Sequence, residues 1–169
     1  MKILPLFAVP LCAAVITGCP AAEIDRAPVV LEATPEGWVR SPPVAGGLTF
    51  AYPQRVGGEF VMLAAGPPGI ETVQGYACVA GDEENSITER RAVGGKTYCV
   101  TTTSEGAAGS TFNTYGYTTD IGRAVVRVSF TVRLVNCGNF DEPVQAACTK
   151  EQASFDPDAL ASSIVASIR

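Results

Sequence analysis

The chain has 169 residues, 12 basic against 17 acidic side chains, a net charge of −5, 17 glycines, 12 prolines, six cysteines and no histidine. That length allows a single domain with a real core, and the acidic balance argues against nucleic acid and anionic lipid surfaces as partners, because both need a basic footprint. The missing histidine removes Ser-His-Asp and Cys-His catalysis and most catalytic zinc sites together.

The N-terminus opens on Lys2, followed by an apolar run from Ile3 to Ile16 that is broken only by Pro5 and Pro10. The run is short for a membrane span. It has the charged start, apolar middle and small-residue exit of a secretory signal. Its exit, Ile16-Thr17-Gly18-Cys19, resembles the lipobox of bacterial lipoproteins. The resemblance implies that residues 1–18 are a signal peptide, removed as Cys19 is diacylated and becomes the new N-terminus. Two or three acyl chains bury many methylenes at about 0.8 kcal/mol each, enough for firm attachment. An ordinary signal cut after Ala22 is the alternative. Without the leader, Lys plus Arg falls from 12 to 11 against 17 acids, for a net charge of −6.

From Cys19 to residue 46 the chain carries Pro20, Pro28, Pro35, Pro42 and Pro43 and few apolar runs, which reads as a tether. Ala27 to Leu31 suits an edge strand. Trp38 is either an exposed anchor or an indole folded onto the domain.

Residues 47–169 are expected to form one α+β domain. Leu48 to Tyr52 and Glu59 to Ala64 make a hairpin through Pro53 and Gly57-Gly58. Gly94-Gly95 separates Ile87 to Val93 from Lys96 to Thr103, a two-residue turn in which both positions need positive φ. Gly109 to Thr119 is a Thr-rich and aromatic strand that turns at Asp120-Ile121-Gly122. In the next strand Ala124, Val126, Val128, Phe130, Val132 and Leu134 share one face, while Val125, Arg127, Ser129, Thr131 and Arg133 share the other. A short helix is expected between Pro143 and Ala153. The last helix is capped by Asp156, starts at Pro157, is stapled by Phe155 on Leu160, and carries the stripe Leu160, Ala161, Ile164, Val165 and Ile168. The expected fold is thus an antiparallel meander of about five to six strands covered by a C-terminal helix. Phe50, Tyr52 and Pro53 in the first strand, with the run Ser162 to Ile168 in the last helix, are similar to the PsbP-like domains. That resemblance implies a fold and carries no functional residue.

Cys12 falls in the leader and Cys19 takes the lipid, leaving Cys78, Cys99, Cys137 and Cys148 in an oxidising compartment. Of the three pairings that four cysteines allow, Cys78 with Cys99 and Cys137 with Cys148 tie neighbouring elements together. A zinc site of four thiolates would need closer pairs than these spacings offer. Asp82-Glu83-Glu84-Asn85 reads as a solvated turn, since it lacks the alternating ligands and central glycine of a calcium loop. Ser104 to Ser110 reads as a flexible connection, having no Lys or Walker pattern. Tyr98, Phe112, Tyr115 and Tyr117 are the first candidates for a binding surface, against cross-strand pairing as the plain alternative.

Neither a cofactor nor a metal is expected. The expected function is a non-catalytic, lipid-anchored envelope module that binds a partner, such as another envelope protein. The alternatives are a cell-wall glycan hydrolase using acids such as Glu71, Glu83 or Glu105, or an inhibitor of lysozyme or protease, for which small disulfide-bearing exported domains are suited.

Overall fold

A computed structural model describes residues 39–44, 47–51, 58–166 and 168 of the chain. Residues 1–18, Cys19, the stretch 27–31, Trp38, Tyr52 and Pro53 lie outside the described residues.

The chain from Ser86 to Val135 alternates polar and apolar side chains with tight turns between the runs, and it folds as a continuous meander. Strand β5 (Ser86–Val93) pairs with β6 (Lys96–Ala107), β6 with β7 (Ser110–Ile121), and β7 with β8 (Ala124–Val135), all antiparallel. Gly94 and Gly95 take φ of 55° and 80°, as the two-residue turn requires. Gly94 is needed for a second reason: a Cβ there would lie 2.7 Å from the Ser162 hydroxyl of the last helix.

On the far side of β8 lies β3 (Val61–Val73), followed by β2 (Gly47–Ala51) and β1 (Val39–Val44). On the other edge, β4 (Gly81–Glu83) pairs with β5. The result is an eight-stranded antiparallel sheet in the order β1-β2-β3-β8-β7-β6-β5-β4.

The two strands beyond the expected six are those at the sheet's edges, β1 and β4. β4 is exposed at every position, so it lacks the alternation that marks a half-buried strand. β1 corrects the tether boundary: Val39–Val44 belongs to the sheet although it carries Pro42 and Pro43. Proline is tolerated on an edge strand or at an irregularity, and both prolines fall at the register shift between Ser41 and Val44. The same logic lengthens β3. It does not stop at Ala64 but passes Pro67 and Pro68 through a register shift between Ala64 and Gly69 and runs on to Val73. β6 likewise continues beyond Thr103, so Ser104 to Ala107 is strand and only Ala108 and Gly109 form the turn, not a flexible connection.

Helix α1 (Val144–Ser154) follows a single 3-10 turn, Cys137–Asn139, and helix α2 (Pro157–Ala166) closes the chain. The Asp156 carboxylate accepts from the amides of Asp158 and Ala159 at 2.9 and 3.0 Å, in agreement with the expected cap. Ala161, Ile164 and Val165 of α2, with Ile168, pack on Tyr98, Val100, Tyr117, Val126, Val128, Phe130 and Val132, forming one core over one face of the sheet. This is the α+β sheet-and-helix fold.

Both disulfides are formed in the local pairing, Cys78 with Cys99 and Cys137 with Cys148, each with Cα atoms 5.6 Å apart. Each stabilises by about 3 kcal/mol through the freedom it removes from the unfolded chain. Disulfides persist in oxidising, extracytoplasmic surroundings. No helix among the described residues is long and apolar enough to cross a membrane.

Candidate functional site

The four aromatics do not form one surface. Tyr98 and Tyr117 are 1% and 0% exposed and lie in the core, their rings edge-on at 5.9 Å. Tyr117 also stacks on Phe130 at 5.9 Å, and Tyr115 is half-buried beside it. Phe112, odd in spacing with respect to Tyr115 and Tyr117, points to the opposite face of the sheet from Tyr117. The aromatics therefore belong mainly under α2, in cross-strand packing. The reason is strand geometry: Tyr98 and Tyr117 stand on neighbouring strands in the layer that the helix covers, where residue type alone does not distinguish a buried ring from an exposed one.

What anchors α2 there is a polar node. The Tyr117 hydroxyl donates to Asp158 Oδ1 at 2.6 Å, and Arg91 donates to the same oxygen at 2.6 Å while also pairing with Glu89. Burial, then the hydrogen bond to Asp158, pushes the Tyr117 phenol well above its ordinary range. Burial also raises Tyr98 and Tyr115.

The face that neither described helix covers is organised in transverse rows set by strand register. Thr88, Thr101, Gly116 and Ser129 lie side by side across β5 to β8, and Ser86, Thr103, Thr114 and Thr131 form the next row. Within these rows Thr88 bonds Thr101 at 3.0 Å and Thr114 bonds Thr131 at 2.9 Å. Arg90, Cys99, Thr118 and Arg127 form the row on one side, and Glu105, Phe112 and Arg133 the row on the other. Three guanidinium groups thus face the same way on a chain with an acidic excess. Arg127 is shared among Glu71 at 3.6 Å, the Thr118 hydroxyl and the Tyr76 ring at 5.7 Å. Arg133 donates to Ser110 at 2.9 Å. Arg90 is exposed and has no partner among the described residues.

Across the Arg90 row runs the connection from β3 to β4. Five inter-strand steps separate those strands, about 24 Å at about 4.8 Å each, while the chain from Val73 to Gly81 reaches at most about 28 Å. The segment is therefore close to taut, and Cys78 pins it to Cys99 in mid-crossing. Tyr76 lies over Arg127 on one side of the pin, and Val79, 75% exposed, projects on the other. Beneath it is a cavity of about 550 Å³ whose lining includes Tyr76, Arg90, Thr97, Thr118 and Asp120. The guanidinium and hydroxyls in such a space can donate to a carboxylate, while Asp120 restricts it to the Arg90 side and accepts from donor groups.

The acids that could serve glycan hydrolysis lie on three different strands. Glu71 lies on β3 opposite Arg127, Glu105 on β6 opposite Phe112, and Glu83 on the edge strand β4. β3 and β4 are the full width of five strand steps apart, far beyond the about 5 to 9 Å that paired carboxylates need. Asp82 and Glu83 lie on β4, and Glu84-Asn85 is its exposed turn into β5. Among the described residues no three His, Cys, Asp or Glu side chains are grouped to hold a metal ion.

No family model, curated protein or solved structure matches the chain in comparisons with known proteins.

Proposed function

We propose that the protein is a lipid-anchored extracytoplasmic module that binds a partner protein through the open face of its sheet and performs no chemistry of its own. The supporting observation is Arg90, exposed and unpaired among the described residues beside the cavity under the crossover, whereas Arg127 and Arg133 on the same face are engaged by Glu71, Thr118 and Ser110. An unpaired guanidinium among the lining of a hydroxyl-bearing space favours a carboxylate-bearing segment of another envelope protein. Attachment through Cys19 would keep that face close to a membrane. Intact mass of the mature protein tests the anchor: acyl chains on Cys19 support it, and an unmodified chain beginning after Ala22 removes it. For the binding face, pull-down from envelope extract with wild-type protein and with Arg90→Glu is decisive. A partner retained by the first and lost with the second is expected; equal retention by both excludes this face.

A second reading, an inhibitor of an exported hydrolase, is favoured by one feature. Val79 stands exposed on a taut segment one residue from a disulfide, as a preorganised inhibitory loop would. Assays against lysozyme and serine proteases, with Val79→Asp as control, separate it from the first.

A further inference from the structure

A second cavity, of about 890 Å³, lies at the other end of the molecule between α1 and the turn joining β6 to β7. Its sheet wall is formed by residues such as Ser104, Asn113 and Leu134, which belong to the helix-covered face, so it is distant from the Arg90 row on the open face. We infer that this cleft is a binding site for a neutral, polyhydroxylated ligand, a glycan chain.

The helix supplies the first reason. An α-helix lying against a sheet ordinarily turns an apolar stripe inward. α1 instead lines the cleft with Gln145, Thr149 and Gln152, spaced so that they share one helical face, and its one buried residue is Cys148. It is held by other means. Cys148 is bonded to Cys137, Gln152 Nε2 donates to the Val135 carbonyl at 2.6 Å, and the Glu151 carboxylate accepts from the amides of Glu59, Phe60 and Val61 at 2.9, 2.6 and 2.8 Å. These clamps fix the helix at the end of the sheet with Cys148 as its one buried residue, and no described residue fills the space in front of its polar face.

The second reason is the character of the lining, which carries hydroxyls and carboxamides and no ionisable side chain. Carboxamides and hydroxyls both donate and accept, as sugar hydroxyls do. Part of that capacity is accessible to a ligand: the side chains of Gln145, half-buried, and Thr111, exposed, have no partner among the described residues. The volume lies within the range of small-molecule clefts, about 300 to 1,000 Å³.

Titration of the full-length protein with chitotetraose and with maltotetraose, followed by amide NMR, tests the assignment. Saturable shifts in residues 104–113 and 144–152 are expected with at least one sugar, weakened about fivefold or more by Gln145→Ala, a substitution that helices tolerate. Binding should be unchanged between about 50 and about 500 mM salt, because no charge takes part, and unchanged by Arg90→Glu. Absence of shifts with both sugars at millimolar concentration overturns the inference. So does binding that Gln145→Ala leaves intact, or binding that salt or Arg90→Glu abolishes, which would assign the ligand to the open face.

Discussion

At the scale of single residues, Tyr117 and Ala108 hold the most instructive positions. The folded state keeps the Tyr117 phenol protonated over a range in which the unfolded chain's phenol, with its ordinary value of 10.0, has ionised. The native state thus binds more protons than the unfolded one, and stability is fully present below about pH 10 and falls as pH rises above it. Denaturant midpoints measured from about pH 8 to about pH 11.5 should decline above about pH 10, and Tyr117→Phe should flatten part of that decline, leaving the shares of Tyr98 and Tyr115. At neutral pH, Asp158→Ala should cost about 1 to 3 kcal/mol, since it strands the buried hydroxyl and frees Arg91. Ala108 presents the opposite opportunity. It occupies the first position of a two-residue turn with Gly109, both at positive φ, where asparagine is the favoured residue. Ala108→Asn should raise stability by about 1 kcal/mol in chemical denaturation; a loss would mean that the turn is held in this form by its surroundings and not by its own residues.

At the scale of elements, the two helices are attached by different physics. α2 buries Ala161, Ile164 and Val165 on the sheet, and its stripe is legible residue by residue in the sequence because a 3.6-residue period leaves that signature. α1 leaves no such stripe. Its existence is legible from Pro143 and the following helix formers, but its attachment is not, because the clasp joins Glu151 to amides some ninety positions earlier in the chain. Glu151→Ala should therefore loosen two elements at once. Faster hydrogen exchange is expected at Glu59 to Val61 and along α1, with little change under α2, at a cost of about 1 to 3 kcal/mol for the three amides left without their acceptor. Uniform exchange throughout the sheet would mean that the clasp is unimportant. The aromatics make the converse case. Their residue types suggest a surface, while the register of β7 on β8 assigns Tyr115 and Tyr117 to the face of Val128 and Phe130 and Phe112 to the face of Arg133.

For the molecule as a whole, two disulfides at about 3 kcal/mol each amount to a large part of a typical domain's roughly 5 to 15 kcal/mol. Reduction should lower the melting temperature markedly, and replacing Cys78 and Cys99 by Ser should release the crossover over the open face, while the Cys137 and Cys148 pair should affect α1 first. Period-two alternation, turn glycines and the capped final stripe were sufficient by themselves to determine an antiparallel meander under a C-terminal helix, because these are local patterns that a strand or helix must satisfy wherever it packs. The spacing of the domain's four cysteines likewise pointed to the bridges that form. Only tertiary structure decided that β3 lies beside β8, that the chain must then cross five strand steps to start β4, and that α1 stands with polar side chains before a cleft. Those outcomes depend on register and on contacts between distant parts of the chain, for which short-range patterning carries no signal.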